Sequence, residues 1–264
     1  MRENYEKMSL YSISESALSD TMLIGQSCEN AIGRIKNLID IVFSSTESNL
    51  LKPNYEFFDI RGTVLLYGDT GVGKTTLSKN CMFYALDTYS VDSYEINIAD
   101  IIVSELGGTV RNMNDALEEF RNKKCGILFI DEIDKMFISR ETPGELSEMK
   151  RLLITFMGYI DTLTVTDKKI IIGCTNVYDT LDAALKRRFA ITEEITNPSE
   201  IEKNEFFNIC AKKSRMDLPN DFRLNPLYLD SFKNMDSIKS LFRRSILAGD
   251  LSTLQNEIRD NFES

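Results

Sequence analysis

The residues best equipped for chemistry begin with one short run, Gly68-Asp69-Thr70-Gly71-Val72-Gly73-Lys74-Thr75. A glycine, four residues, then Gly-Lys-Thr is the spacing of a loop that cradles phosphate. Its glycines let the backbone curl so that N–H groups point inward at phosphate oxygens. Lys74 is suited to reach the β- and γ-phosphates, and the Thr75 hydroxyl to ligate Mg²⁺. Two acids, Asp131 and Glu132, follow the apolar run Ile127-Leu128-Phe129-Ile130. Asp131 would share the Mg²⁺ shell with Thr75. Glu132 would orient and deprotonate an attacking water. Thr175 and Asn176 end another apolar run, residues 169–174, and an amide there can hydrogen-bond the water or the γ-phosphate. Singly, a glycine turn, a solvated acidic turn and a turn-capping asparagine are all common. They gain force because each follows an apolar run that reads as a strand.

Those strands set the architecture. Residues 63–67, Thr-Val-Leu-Leu-Tyr, form a short branched run suited to a buried parallel strand. The helix that follows carries Leu77, Cys81, Tyr84 and Ala85 on one stripe, and its N-terminus adds partial positive charge at the loop. Residues 93–98 alternate and predict an outer strand. Residues 126–130 predict a central strand buried on both faces, with its functional groups at the carboxyl end, where open α/β sheets place ligands. A fifth strand is expected at 193–196. Helices are expected at 24–42 (Ala31, Ile35, Leu38 and Val42 inward), at 110–123 (Met113, Leu117 and Phe120 inward) and at 145–160. A short helix at 179–189 runs into Lys186-Arg187-Arg188. Such a cation cluster is usually a solvated face, but this one follows a polar strand end. Residues 1–22 read as an arm, partly ordered at best, and 44–62 as a loop. Asn197-Pro198 marks a boundary. Beyond it the helical patterns at 199–213, 225–234, 236–248 and 250–262 predict a small four-helix domain. The expected division is therefore an arm (1–22), an α/β core (23–198) and a helical lid (199–264).

Composition narrows the function classes. The chain has 264 residues, net charge −10 and pI about 4.8. Without a basic surplus, direct nucleic-acid binding is disfavoured. The chain has no histidine, and its five cysteines lack CxxC spacing, which argues against a zinc site. Unclustered thiols, no membrane-length apolar run and no signal-peptide core predict a cytoplasmic protein without a membrane partner.

In this order and at these spacings the motifs resemble those of AAA+ ATPases, and more narrowly the AAA clade of remodelling and unfolding ATPases, over about residues 23–250. Gly68 to Thr75 looks like Walker A, so Thr70, Gly71, Val72, Gly73, Lys74, Thr75 and Thr76 are the implied nucleotide contacts. Ile127 to Glu132 looks like Walker B, with Asp131 as metal ligand and Glu132 as the catalytic glutamate. Thr175-Asn176 resembles sensor 1, with Asn176 in its role. Leu23-Ile24-Gly25-Gln26 resembles the box that contacts adenine, which implies Ile24 and Gly25. Residues 181–189 are close to the second region of homology, which makes Arg187 and Arg188 arginine-finger candidates toward a neighbouring subunit. Lys239 stands in the sensor 2 region, where many members have arginine. The resemblance implies a P-loop NTPase αβα sandwich with a parallel five-stranded sheet in the order 5-1-4-3-2 and a helical lid. It also implies ATP and Mg²⁺ as cofactors and a homo-oligomeric ring, usually a hexamer.

Two functions fit. One is an ATP-hydrolysing ring that remodels a protein partner. The other is a nucleotide-dependent regulatory switch controlling a partner effector, with little or no polypeptide threading. The stretch matching the family's threading loop, Ser104-Glu105-Leu106-Gly107-Gly108-Thr109, has no aromatic residue, and only about 20 residues precede the core, which leaves no recruiting domain. Both features favour the switch.

Overall fold

In the computed structural model the description covers residues 10–18, 25–44, 55, 57–102, 107–136, 143–219 and 222–262. The elements in chain order are β1 (Tyr11–Ser12), α1 (Gln26–Phe43), β2 (Thr63–Tyr67), α2 (Lys74–Tyr89), β3 (Ser93–Glu95), α3 (Ile98–Ile101), α4 (Gly108–Asn122), β4 (Gly126–Ile130), α5 (Pro143–Thr162), β5 (Lys169–Thr175), α6 (Ala183–Lys186), β6 (Ile191–Glu194), α7 (Glu200–Lys213), α8 (Pro226–Asp230), α9 (Met235–Ala248) and α10 (Leu251–Asp260).

The apolar runs pair as one sheet in the order β1-β3-β4-β5-β2-β6. All pairs are parallel except β1–β3. The five parallel strands, numbered along the chain, follow the expected 5-1-4-3-2 order. β4 and β5 lie in the middle and are buried at every residue. Their side chains alternate between two cores: Leu128, Ile130 and Ile171 face one, while Ile127, Phe129, Ile170 and Ile172 face the other. On the first face lie α4 and α5, through Met113, Leu117, Phe120, Leu152, Phe156 and Ile160. On the second lie α1 and α2, through Ala31, Ile35, Leu38, Val42, Leu77, Cys81 and Ala85. Each Leu, Ile or Phe so buried is worth about 1.5–3 kcal/mol. A run that needs cover on both faces suits a central strand.

Two expectations are corrected. Residues 10–18 are not a loose arm. Leu10 is buried in the first core and Leu18 in the second. Between them Tyr11–Ser12 adds an antiparallel sixth strand, held by Ile13 N–H to Ser93 O at 2.9 Å and by the Tyr11 hydroxyl to Asp100 at 3.2 Å. A two-residue strand carries too little pattern to be seen in sequence. The last parallel strand also spans Ile191–Glu194, two residues earlier than expected. Ile195, at its end, turns into the α1–α2 core.

The C-terminal helices form a separate apolar cluster around Phe206, Phe207, Leu229, Phe232, Ile238, Phe242, Leu254 and Ile258. Their starts are written locally. Ser199 and Glu202 make a capping box for α7, Asn225 caps α8 ahead of Pro226, and Asn234 caps α9. Among the described residues no helix is long and apolar enough to cross a membrane.

Candidate functional site

The carboxyl ends of β2, β4 and β5 bring the reactive side chains together. β2 leaves the sheet at Gly68, whose φ is +140°; a Cβ there would lie 2.1 Å from the Ile195 carbonyl oxygen, so only glycine fits. The chain curls and enters α2 at Gly73. No side chain caps α2, and no acidic residue sits in its first turn. Its leading amides and its dipole are thus left to an anion.

Lys74, at the first turn of α2, is only 7% exposed. Its ammonium donates to the carbonyls of Gly68 (2.8 Å) and Asp69 (2.7 Å) and to Asn176 Oδ1 (2.6 Å). Those three contacts use all of its donors. Burial lowers its pKa below the ordinary lysine value, against the opposing pull of Cys174, Asp131, Asp69 and Asp134. Thr75 Oγ1 donates to Asp131 Oδ2 at 2.9 Å, and Asp131 Oδ1 accepts the Glu132 amide at 2.9 Å. Thr75 and Asp131 thus present two hard oxygens side by side. That suits Mg²⁺, which binds through one or two protein oxygens plus substrate phosphate. The residues fit the ion.

Glu132 takes a left-handed backbone conformation, φ +48°, uncommon for a residue with a side chain. Its carboxylate pairs with Lys135. Asn176, exposed at the end of β5, holds Lys74. Its neighbour Thr175 turns inward and donates to the buried Asp134 at 2.7 Å. Tyr178 stacks on Tyr67 with centroids 4.0 Å apart, tying the segment after Asn176 to the end of β2.

Thr70, Gly71, Val72, Gly73, Lys74, Thr75, Thr76, Asp131, Glu132, Asn176 and Lys239 all line one cleft between the sheet and the C-terminal helices. Cys28, Phe206, Met235 and Asp236 line it too, and nothing in the sequence pattern pointed to them. The Lys239 ammonium lies 5.5 Å from the Phe206 ring centroid, a cation–π distance. Gly25 does not line the cleft. It sits at the N-cap of α1, where a Cβ would meet the Glu202 carboxylate at 3.3 Å. Glu202 accepts the Gln26 amide at 2.8 Å and the Ser199 amide at 2.7 Å, which joins α7 to α1. Ile24 and the stretch Ser104-Glu105-Leu106 lie outside the described residues.

Arg187 and Arg188 stand apart from this cleft. Thr63, at the start of β2, donates to the Arg188 carbonyl and accepts the Ala190 amide, both at 2.9 Å. The phosphate loop begins at the other end of β2, five residues away. At about 3.3 Å per residue the two ends are roughly 16 Å apart. The two arginines also differ from each other. Arg188 grips Asp161 with a fork of 2.8–3.0 Å contacts and the Ala184 carbonyl at 2.7 Å. Those Arg188 hydrogen bonds, joined by Arg61, hold the Asp161 carboxyl below its ordinary pKa. Arg187 is exposed, with a 3.3 Å bond from Nε to the Ala183 carbonyl.

Comparison with known proteins agrees with this geometry. Residues 64–197 match the model of the ATPase family associated with various cellular activities (AAA). The Cell division cycle protein 48 homolog of Archaeoglobus fulgidus is 31% identical over 206 residues, 74% of this chain and 26% of that protein. The Proteasome-activating nucleotidase of Sulfurisphaera tokodaii is 34% identical over 160 residues, 58% of this chain and 39% of that protein. The chain thus spans between about a quarter and two fifths of the length of these relatives. A chain from the structure of an E. coli MS115-1 HORMA:CdnC:Trip13 complex shares the fold at TM-score 0.60 and 19% identity, covering 74% of this chain and 70% of that one. A matched span that takes in the phosphate loop, both acids and the strand ends that carry them leads to one conclusion: the chain belongs to the AAA family of ATPases, enzymes that bind and hydrolyse ATP.

Proposed function

We propose that the chain binds ATP with Mg²⁺ in the cleft at the ends of β2, β4 and β5, and that Arg187 serves the cleft of an adjacent copy in a ring. The distance between the arginines and their own phosphate loop carries this reading. A cation at the opposite end of β2 cannot reach the γ-phosphate of its own site, while an exposed cation can reach a neighbour's.

Within one copy the loop amides and the uncapped start of α2 hold the phosphates. Thr75 and Asp131 hold the metal, which when bound neutralises charge developing on the β- and γ-phosphates. To meet a phosphate oxygen, Lys74 must give up one of its three present acceptors. Asn176, the only side chain among them, is the one free to turn away. Release of Asn176 puts its amide at the attacking water just as the triphosphate arrives. Glu132, freed from Lys135, takes the water's proton.

The cycle is proposed to act on a protein partner. A relative named as a proteasome-activating nucleotidase and a fold neighbour from a three-component complex support that choice. A second reading, a nucleotide-dependent switch that controls an effector without threading polypeptide, is favoured by one observation: Ser104-Glu105-Leu106-Gly107-Gly108-Thr109 has no aromatic residue to grip a chain.

Glu132→Gln tests the reading. It should bind ATP, lose turnover by orders of magnitude and hold the assembled state, seen as a larger mass with ATP than without. Wild-type turnover in this variant would remove Glu132 from the mechanism. An unchanged monomer mass with ATP would remove the ring.

A further inference from the structure

The cap of α9, Asn234, also joins the C-terminal helices to the phosphate loop. Asn234 begins α9. Its Oδ1 accepts the Ser237 amide at 3.0 Å, and its own amide donates to Ser237 Oγ at 3.2 Å. That is the helix cap. Its Nδ2 points the other way and donates to the Thr70 carbonyl, inside the phosphate loop, at 2.9 Å. The loop makes room for it. Gly71 has φ +83°, and a Cβ there would lie 2.5 Å from Asn234 Nδ2. The residues just after Asn234, Met235 and Asp236, and Lys239 one turn on, line the cleft facing the loop. At the other wall, Glu202 ties α7 to the first amide of α1.

We infer that Asn234 is a positioning residue that latches the C-terminal helices to the phosphate loop and couples their orientation to nucleotide. The inference rests on reading the cleft as an ATP site. The oxygen end of the carboxamide organises the start of α9, and the nitrogen end fixes the loop backbone. When phosphates hold the loop in place, the Thr70 carbonyl offers α9 a fixed anchor, and Met235, Asp236 and Lys239 close on the nucleotide. Coupling of this kind is reciprocal. A partner that swings the C-terminal helices away breaks the bond to Thr70 and loosens the loop's hold on phosphate. Only a side chain carrying both an acceptor and a donor does both jobs. Serine and aspartate cap helices well. Serine is too short to reach Thr70, and aspartate would turn a carboxylate oxygen toward a carbonyl.

The test uses the full chain, Mg²⁺ and a fluorescent ATP analogue labelled on the ribose, with dissociation followed by stopped flow and melting followed without nucleotide. Asn234→Ala loses cap and latch, while Asn234→Ser and Asn234→Asp keep the cap and lose the latch. The melting temperature should fall in the alanine variant and recover in the serine variant. Analogue dissociation should be faster in all three, by roughly 2- to 13-fold in the serine variant, the worth of one neutral hydrogen bond. Hydrogen exchange at residues 70–73 should rise in the serine variant. If dissociation recovers together with melting temperature in Asn234→Ser, Asn234 is only a cap and the latch is overturned. Lys74→Ala separates the two failures. If it binds the analogue as the wild type does, the ATP-site reading falls and takes the latch with it. If it does not bind while Asn234→Ser dissociates at the wild-type rate, the latch alone falls.

Discussion

Replacing Arg187 and Arg188 one at a time should give opposite phenotypes, although the two residues are adjacent and chemically alike. Arg188 is committed to its own fold. Alanine there removes the fork onto Asp161 and the bond to the Ala184 carbonyl. The side chains are 28% and 43% exposed, so solvent screens the pair, and its loss should cost about 1 kcal/mol. For a chain of this size that is about 2–4 °C of melting temperature. Arg187 has little to lose locally, and Arg187→Ala should melt within about 0.5 kcal/mol of wild type. Its cost should appear in catalysis. A finger in related phosphate-loop enzymes is worth roughly 10³- to 10⁵-fold, or about 4–7 kcal/mol of barrier. Phosphate release at high protein concentration and thermal melting read the two effects separately. Mixing adds a sharper assay. Arg187→Ala has an intact cleft and Lys74→Ala an intact Arg187, so a mixture of the two inactive proteins should regain turnover at mixed interfaces. If Arg187→Ala keeps full turnover, or the mixture stays at the level of its components, catalysis is not shared between copies and the argument from the two ends of β2 is wrong.

Other outcomes follow from single contacts. Lys74→Ala should lose ATP binding, read by titration with a fluorescent analogue, because among the described residues no other side-chain cation lines the loop side of the cleft. Gly68→Ala should disrupt the loop and lower both ATP affinity and melting temperature, since the new Cβ would collide with the Ile195 carbonyl; wild-type binding there would contradict the close approach. Thr175→Val should destabilise by about 1.5–3 kcal/mol by stripping the buried Asp134 of its hydroxyl donor, checked by denaturant unfolding. The Glu202 contact predicts a pH dependence. Burial pushes this carboxyl up, but hydrogen bonds from Ser199 and the Gln26 amide outweigh it and leave the pKa below the ordinary glutamate value. A carboxyl with a depressed folded-state pKa contributes its stability above the ordinary value and loses it as pH falls through the lowered one. The melting difference between wild type and Glu202→Gln should therefore be full at neutral pH and vanish in acid. A difference that persists at pH 2 would assign the effect to packing.

What could be read from residues alone was whatever a short stretch determines by itself. The doubly apolar runs pointed to central strands, because their side chains need cover on both faces. The Gly-Lys-Thr loop, the acids after Ile130 and the amide after Thr175 followed from strand ends meeting at one edge. The helical patterns placed α7 and α9 within a residue or two. Tertiary structure decided what depends on a partner distant in sequence. Tyr11–Ser12 is a strand only because β3 offers an open edge. Arg187 and Arg188 are equivalent in the sequence; Asp161, at the end of a helix 26 and 27 residues away, captures one and leaves the other exposed. Gly25 makes room for Glu202, and Asn234 meets Thr70 across 164 positions. Periodicity and local propensity report which face a side chain turns to the core, but the partner it meets there is set by how the layers close.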